Sequence, residues 1–248
     1  MTAVLNSQVT VMPRYRPRTV LALWLAAAGP MGLLAWVVAP LVAGSDPTPE
    51  RFAVCLIAAL TAGLIWQFVL VLIVVWRERR SLRWPVLKDA LWLHAPSNAV
   101  RRGGRLWWWA VAAIAAVGVI EFLPTGPAGP TNRNFGEFIG SNAGHDLMHG
   151  NWALFALLVV SFAFNTVLGE ELFFRGLLLP RMGGNVPANA ALFALYHVHQ
   201  PWGMLNAFLT GLIGAYATNR WRSAWLGILA HSAQSVFFTV LLVALVLS

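Results

Sequence analysis

Glu170, Glu171 and Arg175 lie within six residues of one another, in an otherwise apolar run over residues 168–179. Placing a bare charge at mid-bilayer costs roughly 2.5–3.5 kcal/mol even on the mildest scale. Three such groups therefore need partners or a task. Two later apolar segments supply candidates: Phe193-Ala194-Leu195-Tyr196-His197 and His231-Ser232-Ala233-Gln234-Ser235. Adjacent glutamates on a helix point about 100° apart, so only one can face a small site squarely. Arg175 stands at i+4 from Glu171, the spacing of a helical ion pair. The division this predicts is that Glu171 anchors Arg175 and Glu170 is left as the reactive carboxylate.

A carboxylate in a low-dielectric pocket can serve as base or acid near neutral pH. With one histidine it could hold and deprotonate a water. A second histidine and a hydroxyl could stabilise the oxyanion formed when that water attacks an amide. Glu170, His197 and His231 could instead bind zinc as three protein ligands plus water. The blander reading is a buried ion pair that closes a helical bundle, with each histidine a hydrogen-bonded core residue. The residue types alone leave these alternatives open.

Elsewhere the signals are weaker. His145 and His149 have the i, i+4 spacing of a metal pair but sit in a Gly-rich stretch without the glutamate of the zinc-protease helix. Gly211 and Gly214 read as a close helix-packing patch. The thirteen tryptophans read most simply as interfacial anchors.

The elements that must position these residues are membrane spans. The chain is 58% hydrophobic and only 10% charged, against about 25% charged in soluble domains. Its one cysteine, Cys55, excludes a disulfide framework. We expect an all-α, polytopic bundle of seven spans, near 20–43, 52–76, 106–123, 152–179, 186–199, 202–218 and 224–247. Residues 1–19 read as a flexible cytoplasmic tail and 20–248 as a single transmembrane domain, with a catalytic core over 152–248. Residues 82–94 mix apolar and basic side chains and read as an interfacial helix.

Charge distribution orients the bundle. With the N-terminus in the cytoplasm, the cytoplasmic stretches collect Arg14, Arg16, Arg18, the basic segment 77–105, Arg181, Arg220 and Arg222, while Arg51 and Arg133 fall on the other side. This bias predicts an N-in, C-out topology. It also explains the net charge of +8 by basic loops beside anionic lipid, so nucleic acid is not an expected partner. At 1.5 Å per residue, Glu170 and His197 lie roughly 16 Å, and His231 roughly 13 Å, from the basic ends of their helices. Three helices thus bring their polar residues to a similar depth.

These residues resemble the CPBP family of intramembrane proteases, which includes the type II CAAX prenyl endopeptidases and the bacterial Abi proteins. Glu170, Glu171 and Arg175 match its Glu-Glu-x-x-x-Arg motif, and Phe193 and His197 its Phe-x-x-x-His motif. His231 matches a third motif, a His followed four residues later by Asn or Asp; here that later position is Ser235, whose hydroxyl is shorter and donates one hydrogen. The resemblance implies a membrane protease of the CAAX type with its site in the bilayer, reached from the cytoplasmic side. By that resemblance Glu170 and His197 activate water, His231 and Ser235 form the oxyanion hole, and Arg175 is structural, supported by Glu171 and Phe193. Members of the family have been described as metalloproteases, but the residues already include a base and an orienting partner, so a metal-free reaction is favoured and zinc is the alternative cofactor. The expected partners are the lipid bilayer and a membrane-anchored or lipidated protein or peptide; in a bacterium the location would be the inner membrane.

Two other functions fit the sequence. The Ser235 departure is compatible with a non-catalytic protein that binds a membrane-active peptide, as in bacteriocin self-immunity. Intramembrane Glu and His residues also suit a proton- or ion-coupled transporter, although no inverted repeat is visible.

Overall fold

The computed structural model describes residues 12–248. The chain is built from helices α1 Pro17–Ala43, α2 Pro49–Arg79, α3 Trp84–Ala90, α4 Gly104–Glu121, α5 Phe135–Ile139, α6 Asn142–Met148, α7 Trp152–Arg181, α8 Val186–Tyr196, α9 Met204–Trp221 and α10 Ala224–Leu247. Among them α1, α2, α4, α7 and α10 are long and apolar enough to cross a membrane. The protein is thus an all-α, multi-pass integral membrane bundle.

The remaining two expected spans form a helical hairpin. At eleven residues, α8 rises only about 16 Å, half of the roughly 30 Å hydrocarbon core. It starts and ends where it does for local reasons. The Asn185 side chain accepts from the Ala188 amide at 3.1 Å, and Pro187 occupies the first turn. His197 then leaves helical geometry, and residues 197–203 turn the chain back into α9. A hairpin that leaves and returns to one face does not alter the alternation of the other spans.

Proline creates two of the tertiary joints. Pro30 lies inside α1 and has no N–H to offer the carbonyl four residues back. That carbonyl, of Ala26, accepts instead from the Trp66 indole at 2.8 Å. Near Pro40 the helix widens into a π turn over Leu34–Val38, and the Ala35 carbonyl accepts from Arg133 at 3.2 Å. Trp24 and Trp36 likewise donate to the Leu192 and Val198 carbonyls, each at 2.8 Å. These three tryptophans clasp neighbouring segments, and Trp36 and Trp66 remain exposed on the outside of the bundle.

The centre of the bundle is the second half of α7, where every side chain of Leu172–Leu178 is buried. It packs against Met31 of α1, Val71 and Val75 of α2, and Phe193 and Tyr196 of α8. A helix apolar all round belongs inside a bundle, and this one carries the charged motif into the interior.

The basic residues gather at one end of the bundle. Arg181 is fully buried; its guanidinium donates to Glu78 at 2.9 and 2.5 Å and to the Ala90 and Leu177 carbonyls. The Tyr15 hydroxyl also donates to Glu78, and the Tyr15 amide to the Arg181 carbonyl. Residues 12–16 are therefore tied to the bundle; residues 1–11 of the expected tail lie outside the described residues. The expected interfacial helix is α3, but it does not simply lie on the surface. Leu91 and Leu93 just after it are buried in the main core, and the Ala224 amide donates to the Trp92 carbonyl at 2.9 Å.

Candidate active site

The charged motif sits where α7 departs from α-helical register. Phe164–Gly169 and Leu172–Leu178 are π-helical, a local widening often found at functional sites. The Thr166 hydroxyl donates to the Phe162 carbonyl at 3.0 Å, a back-bond that competes with the helical ladder. The Glu170 amide donates to the carbonyl of Asn165, five residues back. That register sets Asn165 beneath Glu170. With its nitrogen toward the carboxylate, the Asn165 amide donates to the two Glu170 oxygens at 2.9 and 3.1 Å. Glu170 itself is 3% exposed.

Glu171 faces the other way. One oxygen lies 3.5 Å from Arg175 Nε and the other 3.3 Å from His231 Nδ1. It joins α7 to α10 and compensates a guanidinium that is 2% exposed. Arg175 also lies over the Phe193 ring, 4.0 Å from its centroid, a cation–π contact strengthened by the absence of water. Neighbouring helices leave room for this group only because they carry glycine. A Cβ on Gly227 would stand 2.5 Å from Glu171 Oε2 and one on Gly211 3.0 Å from the Phe193 ring, whereas one on Gly214 would make ordinary contact with Arg175 Nε at 3.5 Å.

His197 follows the last turn of α8. Its Nδ1 lies 2.8 Å from the Phe193 carbonyl. A carbonyl can only accept, so Nδ1 carries the proton and the Nε2 lone pair is left free. The ring is held edge-on to Phe193, 4.8 Å away, and stacks on His199 at 5.4 Å. The helix carrying it is tied down by the Tyr196 hydroxyl, which donates to Gln67 at 3.2 Å, and by Asn189, which donates to the Phe174 carbonyl at 2.9 Å.

Glu170, Glu171, Arg175, His197, His231 and Ser235 all line one cavity of about 770 Å³ inside the bundle. The four residues expected to do chemistry and the supporting pair therefore share one space, with Phe193 in its wall. Sequence reasoning missed Asn165, whose only signal was a lone amide five residues before Glu170. It also missed Gln67, the one strongly polar residue among residues 52–76. His145 and His149 do not join the cavity; His145 lies within α6 and His149 caps its C-terminal end, and both are exposed.

Among the described residues no three His, Cys, Asp or Glu side chains converge as a metal-binding group. As placed, Glu170, His197 and His231 do not form such a group. What they do offer is a buried carboxylate, an imidazole with a free lone pair and a second imidazole braced by a carboxylate, around a space large enough for a peptide segment.

No curated protein and no solved structure matches the chain. Residues 151–237 match the model of the family described as type II CAAX prenyl endopeptidase Rce1-like, and the resemblance carried by Glu170, Glu171, Arg175, Phe193, His197 and His231 is thereby shown for that segment.

Proposed function

We propose that the protein is an intramembrane endopeptidase that hydrolyses a peptide bond of a membrane-anchored or lipidated polypeptide with a glutamate-activated water. The family match supports the CAAX-type activity and favours neither transport nor immunity. The observation that carries the chemistry is the single cavity shared by Glu170 and the free Nε2 of His197.

In this reading a water sits between the Glu170 carboxylate and His197 Nε2. Glu170 takes its proton as the oxygen attacks the scissile carbonyl. His231, with both ring nitrogens protonated, donates Nδ1–H to Glu171 and Nε2–H to the developing oxyanion, and the Ser235 hydroxyl adds a second donor. As the tetrahedral intermediate collapses, the C–N bond breaks and Glu170 returns its proton to the leaving amine. Asn165 orients the carboxylate throughout. Arg175 is not in contact with the reacting atoms; it fixes Glu171, and through it His231.

The test is cleavage of a pool of membrane-anchored peptides in proteoliposomes. Wild type is expected to cleave, and Glu170→Gln and His231→Ala to lose cleavage. Undiminished cleavage by Glu170→Gln would sink the assignment. Loss of activity on adding a strong chelator, restored by zinc, would replace the metal-free route by a metal-dependent one.

A further inference from the structure

The face that α10 turns to the cavity is marked by its lining residues: Gly227, Ala230, His231, Gln234, Ser235 and Phe238. Their steps of one, three and four residues are those of a single helix face, and Gln234 lies within that face. His231 and Gln234 are three positions apart, which sets their Cβ atoms about 5–6 Å from one another, so both side chains project into the same part of the space. Of the six, only His231, Gln234 and Ser235 carry a side-chain group that donates a hydrogen bond.

These donors are not equally placed. The imidazole Nε2 and the glutamine amide nitrogen stand the same number of bonds beyond Cβ, whereas the serine hydroxyl is bonded to Cβ itself. Ser235 is buried, at 9% exposed, and Gln234 is half-buried. An oxyanion within hydrogen-bond distance of His231 Nε2 thus lies at the height above α10 that the Gln234 amide reaches, and stands off from Ser235 Oγ.

The amide is also unclaimed. Along this part of α10, His231 bonds Glu171, the Ser232 hydroxyl donates to Thr166 at 3.4 Å and the Thr239 hydroxyl to the Ser235 carbonyl at 2.7 Å. Among the described residues the Gln234 side chain makes no such bond. Elsewhere in the cavity wall, Asn165 is turned to Glu170, Gln200 to His199, and the Thr210 hydroxyl to the Asn206 carbonyl.

We infer that the Gln234 amide is the main partner of His231 in holding the oxyanion, with the Ser235 hydroxyl secondary to it. The inference rests on the endopeptidase reading. As the water oxygen bonds to the scissile carbon, the carbonyl π pair moves onto its oxygen. His231 Nε2–H and one amide hydrogen of Gln234 meet that charge, and neither proton is transferred. A donor held in place before the charge develops needs no reorganisation as it forms.

The test is steady-state cleavage of the same pool of membrane-anchored peptides in proteoliposomes by wild type, Gln234→Ala, Gln234→Met, Ser235→Ala and Glu170→Gln. Removing one oxyanion donor costs about 10²–10³ in kcat, so both Gln234 variants should fall by that factor with KM little changed. Ser235→Ala should lose only about tenfold, the effect of one ordinary hydrogen bond. Gln234→Met keeps the length of the side chain and removes the donor, so a packing role would leave it near wild type and the oxyanion role would not. Wild-type kcat in Gln234→Met overturns the inference, as does a larger loss in Ser235→Ala than in Gln234→Ala, or a loss carried by KM alone. The two readings fail separately. An inactive Glu170→Gln beside a fully active Gln234→Met removes the role of Gln234 alone, whereas undiminished cleavage by Glu170→Gln removes the glutamate mechanism and leaves a loss in the Gln234 variants standing. A wild type that cleaves nothing removes both.

Discussion

At the scale of single residues, the two adjacent glutamates divide stability from chemistry. Glu171 is held between Arg175 and His231, whereas Glu170 meets Asn165 and the cavity. Removing one member of a buried ion pair strands the other and costs about 3–5 kcal/mol. Glu171→Gln is therefore expected to lower the unfolding midpoint in detergent strongly. Glu170→Gln leaves the Glu171–Arg175–His231 group intact, so it should unfold near wild type while cleaving nothing; equal destabilisation by the two variants would contradict the division. Asn165 gives a second prediction at this scale. A hydrogen bond to a charged group contributes about 1.5–3 kcal/mol, so Asn165→Ala should slow cleavage about 10- to 100-fold. Asn165→Asp, which sets like charges together, should slow it more. The i+4 pairing of Glu171 with Arg175 was legible in the sequence. The Asn165 contact was not, because it depends on a π turn that no periodicity announces.

At the scale of elements, α7, α9 and α10 meet over glycine. The Gly227 position is the tightest, because a methyl there would press on Glu171 Oε2 at 2.5 Å, Arg175 Cγ at 3.1 Å and Thr218 Oγ1 at 3.1 Å. Gly227→Ala should cost about 1–3 kcal/mol of stability, as overpacking does, and should displace His231 through Glu171, so cleavage falls as well. Gly118 on α4 is the control. Nothing lies within 4 Å of a Cβ there, so Gly118→Ala should be silent or stabilising by up to about 1 kcal/mol. Thermal unfolding of both variants, with cleavage measured alongside, separates a packing requirement from a general intolerance of substitution. Helix length is the other lesson at this scale. Residues 186–199 and 202–218 read from the sequence as two spans, the first of them rather short; α8 ends at Tyr196, where the His197 ring bonds the Phe193 carbonyl and the chain turns. A span that stops halfway places an imidazole inside the cavity.

At the scale of the whole molecule, the basic end is held by a clasp. Tyr15, Glu78 and Arg181 join the N-terminal segment, α2 and α7. Burial first, and the hydrogen bond to Glu78 second, push the Tyr15 phenol up to about 12. Its contribution is therefore fully present below the ordinary tyrosine value of about 10 and is lost as pH rises through about 12. The ultraviolet difference titration of wild type against Tyr15→Phe should show that late ionisation, and the variant should lose the alkaline dependence of stability. A phenol that titrates near 10 would mean the clasp is open. The sequence by itself determined the all-α membrane class, the long spans, the charge bias and the residues of the three motifs, because hydropathy, helical spacing and charge asymmetry are local or additive properties of the chain. It could not determine which carbonyls the tryptophans and Arg133 would take, where α7 would widen, or that α8 would turn back. Those depend on contacts between residues far apart in the chain: Gly227 against Glu171, Leu91 beneath Gly176, Trp202 beneath Gly129. Only the assembled bundle decides them, because each is set by the space that other helices leave.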